Sequence, residues 1–255
     1  ERYWMLDDDP NNSRVPLIYH LAELRRRLIF CFAGLIIAFF AFYFVADDIY
    51  NFLVRPLVQA TEGQLDRRMI FTGLHEAFLT QVRVAFFSAF SVAFPIIAIQ
   101  GWRFIAPGLY KNEKKIFIFF VTATPVLFIL GASFVYYIVV PIAWEFFLGF
   151  EQSAGKGILP VQLEPKVDEY LSLIMRLILA FGICFELPIL LILLTKIGIT
   201  NSRGLKQKRK YAILVAFVIA AIVTPPDVIS QVLLAIPIIL LYEVSIICAG
   251  IMEKK

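Results

Sequence analysis

Charge is scarce in this chain of 255 residues: 17% are Asp, Glu, Lys or Arg, where a soluble domain carries about 25%. Histidine is rarer still, with two, and the three cysteines (Cys31, Cys184 and Cys248) each stand inside an apolar run. Neither residue type falls at metal-ligand spacing, so no metal site and no disulfide framework is expected, and the cysteines read as small buried hydrophobes. No glycine-rich phosphate loop is present, which argues against ATP hydrolysis, and no GxSxG or other nucleophile motif occurs. His75-Glu76 lacks the second histidine that a zinc helix needs. An enzyme is therefore not expected, nor any cofactor, and a net charge of +4 gives no reason to invoke nucleic acid. No internal repeat stands out. The leading residues, ERYWMLDDDPNNSR, run into no short apolar stretch with a cleavage site, so no secretory signal peptide is expected.

What is abundant is apolar. Hydrophobic residues make up 60% of the chain, Phe alone contributes 25, and the mean hydropathy is +0.80. Such a chain is too apolar for one soluble core and long enough to cross a bilayer several times. We read it as an all-α polytopic membrane protein, one transmembrane domain over 1–255, with spans near 28–46, 77–99, 116–144, 170–194, 211–223 and 228–250. The 116–144 run is long enough to need a tilt or bend, for which Pro125 and Pro141 supply places. Residues 47–75 form a polar loop with room for amphipathic segments, broken at Pro56 and Gly63. The fifth span has only thirteen apolar residues before TPPD, about 20 Å of helix. A re-entrant segment is the alternative for so short a run.

The basic residues alternate between connectors. Residues 1–27, 101–115, 196–210 and 253–255 hold 17 Lys and Arg, against 5 in 47–76, 145–168 and 224–227. The positive-inside rule then places both termini in the cytoplasm. Arg83 and Arg176 lie within spans, where their long stems let the charge snorkel toward an interface.

Glu186 is the costly residue. It lies sixteen positions past Tyr170 and ten before Lys196, well inside the span, where an ionisable group costs about 2.5 kcal/mol or more. It must face a hydrated cavity, pair with a partner, carry a proton, or make a structural hydrogen bond to a neighbouring helix. At the cytoplasmic side, Glu23 in HLAELRRRL and Glu113 in LYKNEKK are carboxylates on a basic face. Glu23 and Arg27 at i,i+4 also suit an ordinary solvated helix pair. Two carboxylates beside the membrane suit guanidinium groups, which they bind through paired hydrogen bonds.

At these residues the sequence resembles the TatC family, the multispan receptor subunit of the twin-arginine (Tat) protein translocase. The resemblance covers nearly all of 17–250 and rests on HLAELRRRL, FIAPGLYKNEKK, AFGICFELP, the GIT…KRKY connector and TPPDVISQVLLAIP. It implies six helices in a concave, cupped bundle, the fifth short and the sixth a candidate for the same. It further implies that Glu23 and Glu113 receive the paired arginines of a signal peptide, with Arg25 shaping that surface. Glu186 then matches a polar residue of the intramembrane groove, Gln231 a polar position at the top of the last span, and Pro56 a proline of the first outer loop. The implied setting is the bacterial inner membrane. The implied partners are twin-arginine signal peptides of folded cargo, small single-span subunits of the TatA and TatB type, the lipid bilayer, and further copies of the chain. Transport would draw on the proton motive force. Against this stand a proton- or ion-coupled secondary transporter using Glu186, which predicts paired broken helices in symmetric halves, and a purely structural scaffold, which leaves the acidic pair unexplained. The Arg25–Arg26–Arg27 run also suits anionic headgroups, at about 1 kcal/mol per residue.

Overall fold

The computed structural model describes residues 17–61, 68–105, 114–151, 163–224 and 228–253. All regular structure in them is helical: α1 (Leu17–Tyr43), α2 (Ala46–Ala60), α3 (Glu76–Ile105), α4 (Lys114–Phe134), α5 (Val140–Leu148), α6 (Val167–Cys184), α7 (Leu187–Lys196), α8 (Ser202–Gln207), α9 (Arg209–Val223) and α10 (Val228–Glu253). Five segments of the described residues are long and apolar enough to cross a membrane: Leu21–Tyr43, Glu76–Phe104, Ile118–Leu148, Val167–Lys196 and Ser230–Glu253. α1 packs along α3, α4 against α6, and α10 against α9 and α7.

The main core gathers Val84, Val135, Leu171, Ile174 and Phe181 from α3, α6 and the α4–α5 junction, each essentially without exposed surface. α4 and α6 cross closely because glycines face each other's neighbours. A methyl group on Gly131 would lie 2.6 Å from the Phe181 carbonyl, and one on Gly182 would enter the Phe128 ring. Small residues at such a crossing bring backbones together where no hydrophobic force favours helix over lipid.

Prolines mark two departures from plain helix. Val135–Val139 is a π-helical turn joining α4 to α5, and the Val140 amide bonds the Val135 carbonyl five residues back. Pro141 follows at once and has no amide to offer. The expected irregularity therefore sits at Pro141, while α4 keeps its helix through Pro125. The second departure splits the 170–194 span. α6 ends at Cys184, the Glu186 amide bonds Ile183 three residues back (3.0 Å), and α7 restarts with Pro188 in its first turn. Pro188 cannot donate to the Cys184 carbonyl, so the ladder breaks beside Glu186. α7 itself stops at Gly198, whose φ of 78° is a left-handed turn open to glycine.

Pro56, by contrast, corrects the break expected there: the amphipathic segment for which 47–75 had room is one helix across the proline. Residues 46–60 form α2, an amphipathic helix that runs straight through Pro56, with Leu53, Pro56 and Leu57 buried and Asp47, Asp48 and Arg55 exposed. Proline withdraws the amide that would bond the Phe52 carbonyl. Tyr136, on the π-turn, donates to that carbonyl instead (2.6 Å), and Tyr170 of α6 donates to the next one, Leu53 (2.8 Å). The Phe52 and Tyr136 rings stack at 4.4 Å, and Trp144 stacks on Tyr170 at 5.0 Å. Around the same end, the Ile70 amide and carbonyl pair with Pro165 and Val167. Glu76 accepts from the Thr72 and Gly73 amides (2.7 and 3.0 Å), and Arg83 pairs with Asp168. These bonds lace α2, α3, α5 and α6 into one stiff end.

Candidate functional site

The opposite end, where α1 begins and α3 finishes, carries the charged cluster. Glu23 lies in the second turn of α1, with its side chain 45% exposed. Arg25 and Arg26 are exposed beside it, and Arg26 lies over the Phe30 ring, 5.9 Å from its centre. Arg27, only 22% exposed, pairs with Glu23. Its Nε donates to Glu23 Oε1 (3.1 Å), and its Nη1 reaches across to α3, where it donates to the Gln100 side-chain oxygen (3.0 Å). The link to Gln100 has no signal in the sequence, because nothing in either segment announces that α1 and α3 are neighbours. Glu113 lies outside the described residues, one position before the start of α4.

Glu186 is 5% exposed, and neither carboxylate oxygen has a hydrogen-bond partner among the described residues. It lies beside Thr124, whose buried hydroxyl accepts from the Trp102 indole (3.2 Å). Gln231 donates to the Phe217 carbonyl (3.2 Å), which joins α10 to α9. Pro56 belongs to the tyrosine-held helix at the far end. The structure thus brings Glu23 together with Arg27 and Gln100, while Glu186, Gln231 and Pro56 occupy separate places.

Two large cavities open on the bundle. One of 770 Å³ is lined by Trp144, Lys166, Asp168, Tyr170, Arg176 and Thr224. The other, of 900 Å³, lies between α1, α3 and α6 and is apolar apart from Arg83, Arg176 and Ser172. Glu186 lines neither. Among the described residues no group of His, Cys, Asp and Glu is placed to hold a metal ion.

With helices as the regular structure of the described residues and five segments among them long and apolar enough to cross a membrane, the chain is a multipass membrane protein. The family model of the Sec-independent protein translocase protein (TatC) matches residues 19–237. This chain belongs to the TatC family. It is 46% identical over 243 residues to the Sec-independent protein translocase protein TatC of Magnetococcus marinus, covering 95% of this chain and 87% of that one. The TatC protein of Escherichia coli K12 is 38% identical over 232 residues, 91% of this chain and 86% of its own. A crystal structure described as the twin arginine translocase receptor TatC, solved in DDM, superposes with a TM-score of 0.79 at 38% identity, over 91% of this chain and 99% of that one. A second crystal structure of that receptor gives 0.76 at 39% identity, over 89% and 96%. The secondary-transporter alternative finds no support in these likenesses.

Proposed function

We propose that the chain is the core receptor of a twin-arginine translocation system, binding the Arg-Arg signal peptide of folded cargo on the cytoplasmic face and nucleating the export complex. The observation that carries this reading is the exposed carboxylate of Glu23, which already holds a guanidinium at the open end of α1. Glu113 supplies the second carboxylate, and Arg25, from the same motif as Glu23, shapes that surface. The family resemblance also assigns Glu186 and Gln231 to an intramembrane groove for the apolar part of the peptide and Pro56 to the first outer loop, although Glu186 is buried outside both large cavities. Six helices cross the bacterial inner membrane, α9 being the fifth and short one, with both termini in the cytoplasm, as the excess of basic residues on alternate connectors supports. Its fifteen residues span about 22 Å, which thins the bilayer beside the groove at modest cost. Small single-span Tat subunits and further copies of the chain complete the complex.

The test is a pull-down of the detergent-solubilised chain with a synthetic Arg-Arg signal peptide and its Lys-Lys control. Arg-Arg is retained and Lys-Lys is not, because an ammonium lacks the planar fork. Hydrogen bonds to charged groups are worth about 1.5–3 kcal/mol each, so Glu23→Ala with Glu113→Ala lowers affinity tenfold or more while the protein stays folded. Unchanged affinity at low salt removes both residues from the role.

A further inference from the structure

Glu23 is occupied before any peptide arrives. Arg27, one turn further along α1, donates to Glu23 Oε1 through both Nε and Nη2. Its remaining nitrogen, Nη1, donates to the side-chain oxygen of Gln100 (3.0 Å) and lies 3.5 Å from the Gln100 carbonyl. All three nitrogens of the guanidinium are therefore engaged, two on α1 and one on α3. Both bonds to Glu23 fall on a single oxygen, and Oε2 has no hydrogen bond to a described residue. The exposures differ in the same sense: the carboxylate is 45% open and the arginine 22%.

We propose that Arg27 is a resident competitor for Glu23 and that the signal peptide binds by exchange. The incoming guanidinium enters on Oε2, to which no described residue bonds, and takes over Oε1, while Arg27 stays with Gln100. This deepens the reading of Glu23 as a signal-peptide carboxylate and rests on it. The chemistry of the exchange explains its selectivity. Guanidinium replaces guanidinium, so the number of charge-assisted hydrogen bonds is conserved and the step is nearly balanced and reversible. An ammonium offers a compact point charge without two parallel N–H groups, and cannot match the bonds it would have to displace. Arginine specificity then comes from the threshold that Arg27 sets as well as from the shape of the acidic site. A plain helix pair would need no second anchor. Gln100, on a different helix, gives Arg27 a seat that persists when Glu23 is taken.

The experiment measures binding of fluorescent Arg-Arg and Lys-Lys peptides to the full chain in detergent, with the thermal midpoint followed in parallel. Removing an exposed competing pair makes Arg27→Gln bind Arg-Arg roughly threefold more tightly, and it narrows the preference over Lys-Lys. Arg27→Lys keeps the charge but presents a weaker competitor, so it narrows the same preference by less, and it carries the test if the Gln variant unfolds. Adding Glu23→Ala to either variant cancels the gain. If Glu23→Ala abolishes binding but neither Arg27 variant changes the Arg-Arg to Lys-Lys ratio, the exchange is wrong and the carboxylate reading stands. If Glu23→Ala leaves Arg-Arg binding intact, the carboxylate reading fails and the exchange fails with it.

Discussion

Pro56 deletes a hydrogen-bond donor from the middle of α2, and Tyr136 supplies one from another helix to the same carbonyl, Phe52. A carbonyl left without a donor costs up to about 1–3 kcal/mol when buried, and this one is part-buried, so the tyrosine hydroxyl offsets much of what the proline removes. Tyr136→Phe therefore lowers stability by about 1–2 kcal/mol with the ring stack on Phe52 intact. Pro56→Ala restores the amide that Phe52 lacks, so Tyr136→Phe costs less in that background. A double-mutant cycle read by thermal or denaturant unfolding in detergent should give a coupling of at least about 0.5 kcal/mol. Additive effects would show that the hydroxyl and the proline do not share the Phe52 carbonyl.

At the scale of elements, the α4–α6 crossing is set by what is missing from two positions. A side chain at Gly182 meets the Phe128 ring, and one at Gly131 meets the Phe181 backbone. Gly34 on α1 has open space around it. Gly182→Leu should therefore destabilise by about 1–3 kcal/mol or more through overpacking, whereas Gly34→Ala should be neutral or gain up to about 1 kcal/mol from helix propensity. Equal melting curves for the two variants would contradict the close crossing. Nothing local in the sequence separates these glycines, since each sits in an apolar run and only the crossing distinguishes them. The apolar runs themselves are legible because bilayer thickness leaves few alternatives for a run such as 28–46. α2 is not, because Pro56 reads as a break and its compensating tyrosine lies far along the chain. The split at Glu186 is half legible. Pro188 signals it, but an uninterrupted apolar stretch masks it. Glu23 is legible from its motif, whereas its tie to Gln100 depends on α1 lying along α3.

For the whole molecule, the proposed topology turns on α9, which must carry the chain across rather than turn back. Its fifteen residues reach about 22 Å, short of a hydrocarbon layer of roughly 30 Å. Two observations favour a crossing. At its start, Arg209 pairs with Glu243 (2.6 Å), on the part of α10 that leads to Glu253, where the Ser202 amide is bound. At its end, Thr224 lines the same cavity as Lys166, Asp168 and Trp144, which belong to the tyrosine-laced end of the bundle. α9 thus reaches from one end of the helix assembly to the other. Single cysteines in a background lacking Cys31, Cys184 and Cys248 test this in intact cells with a membrane-impermeant thiol reagent. Cysteines at His75, Gly149 and Val228, all exposed, should react from outside, and those at Glu23 and Asn201 only after the cytoplasmic side is opened. Val228, 74% exposed at the head of α10, is the deciding position. If it labels with Asn201 rather than with His75, α9 is re-entrant, the six-span topology is lost, and the C-terminus moves to the other side of the membrane.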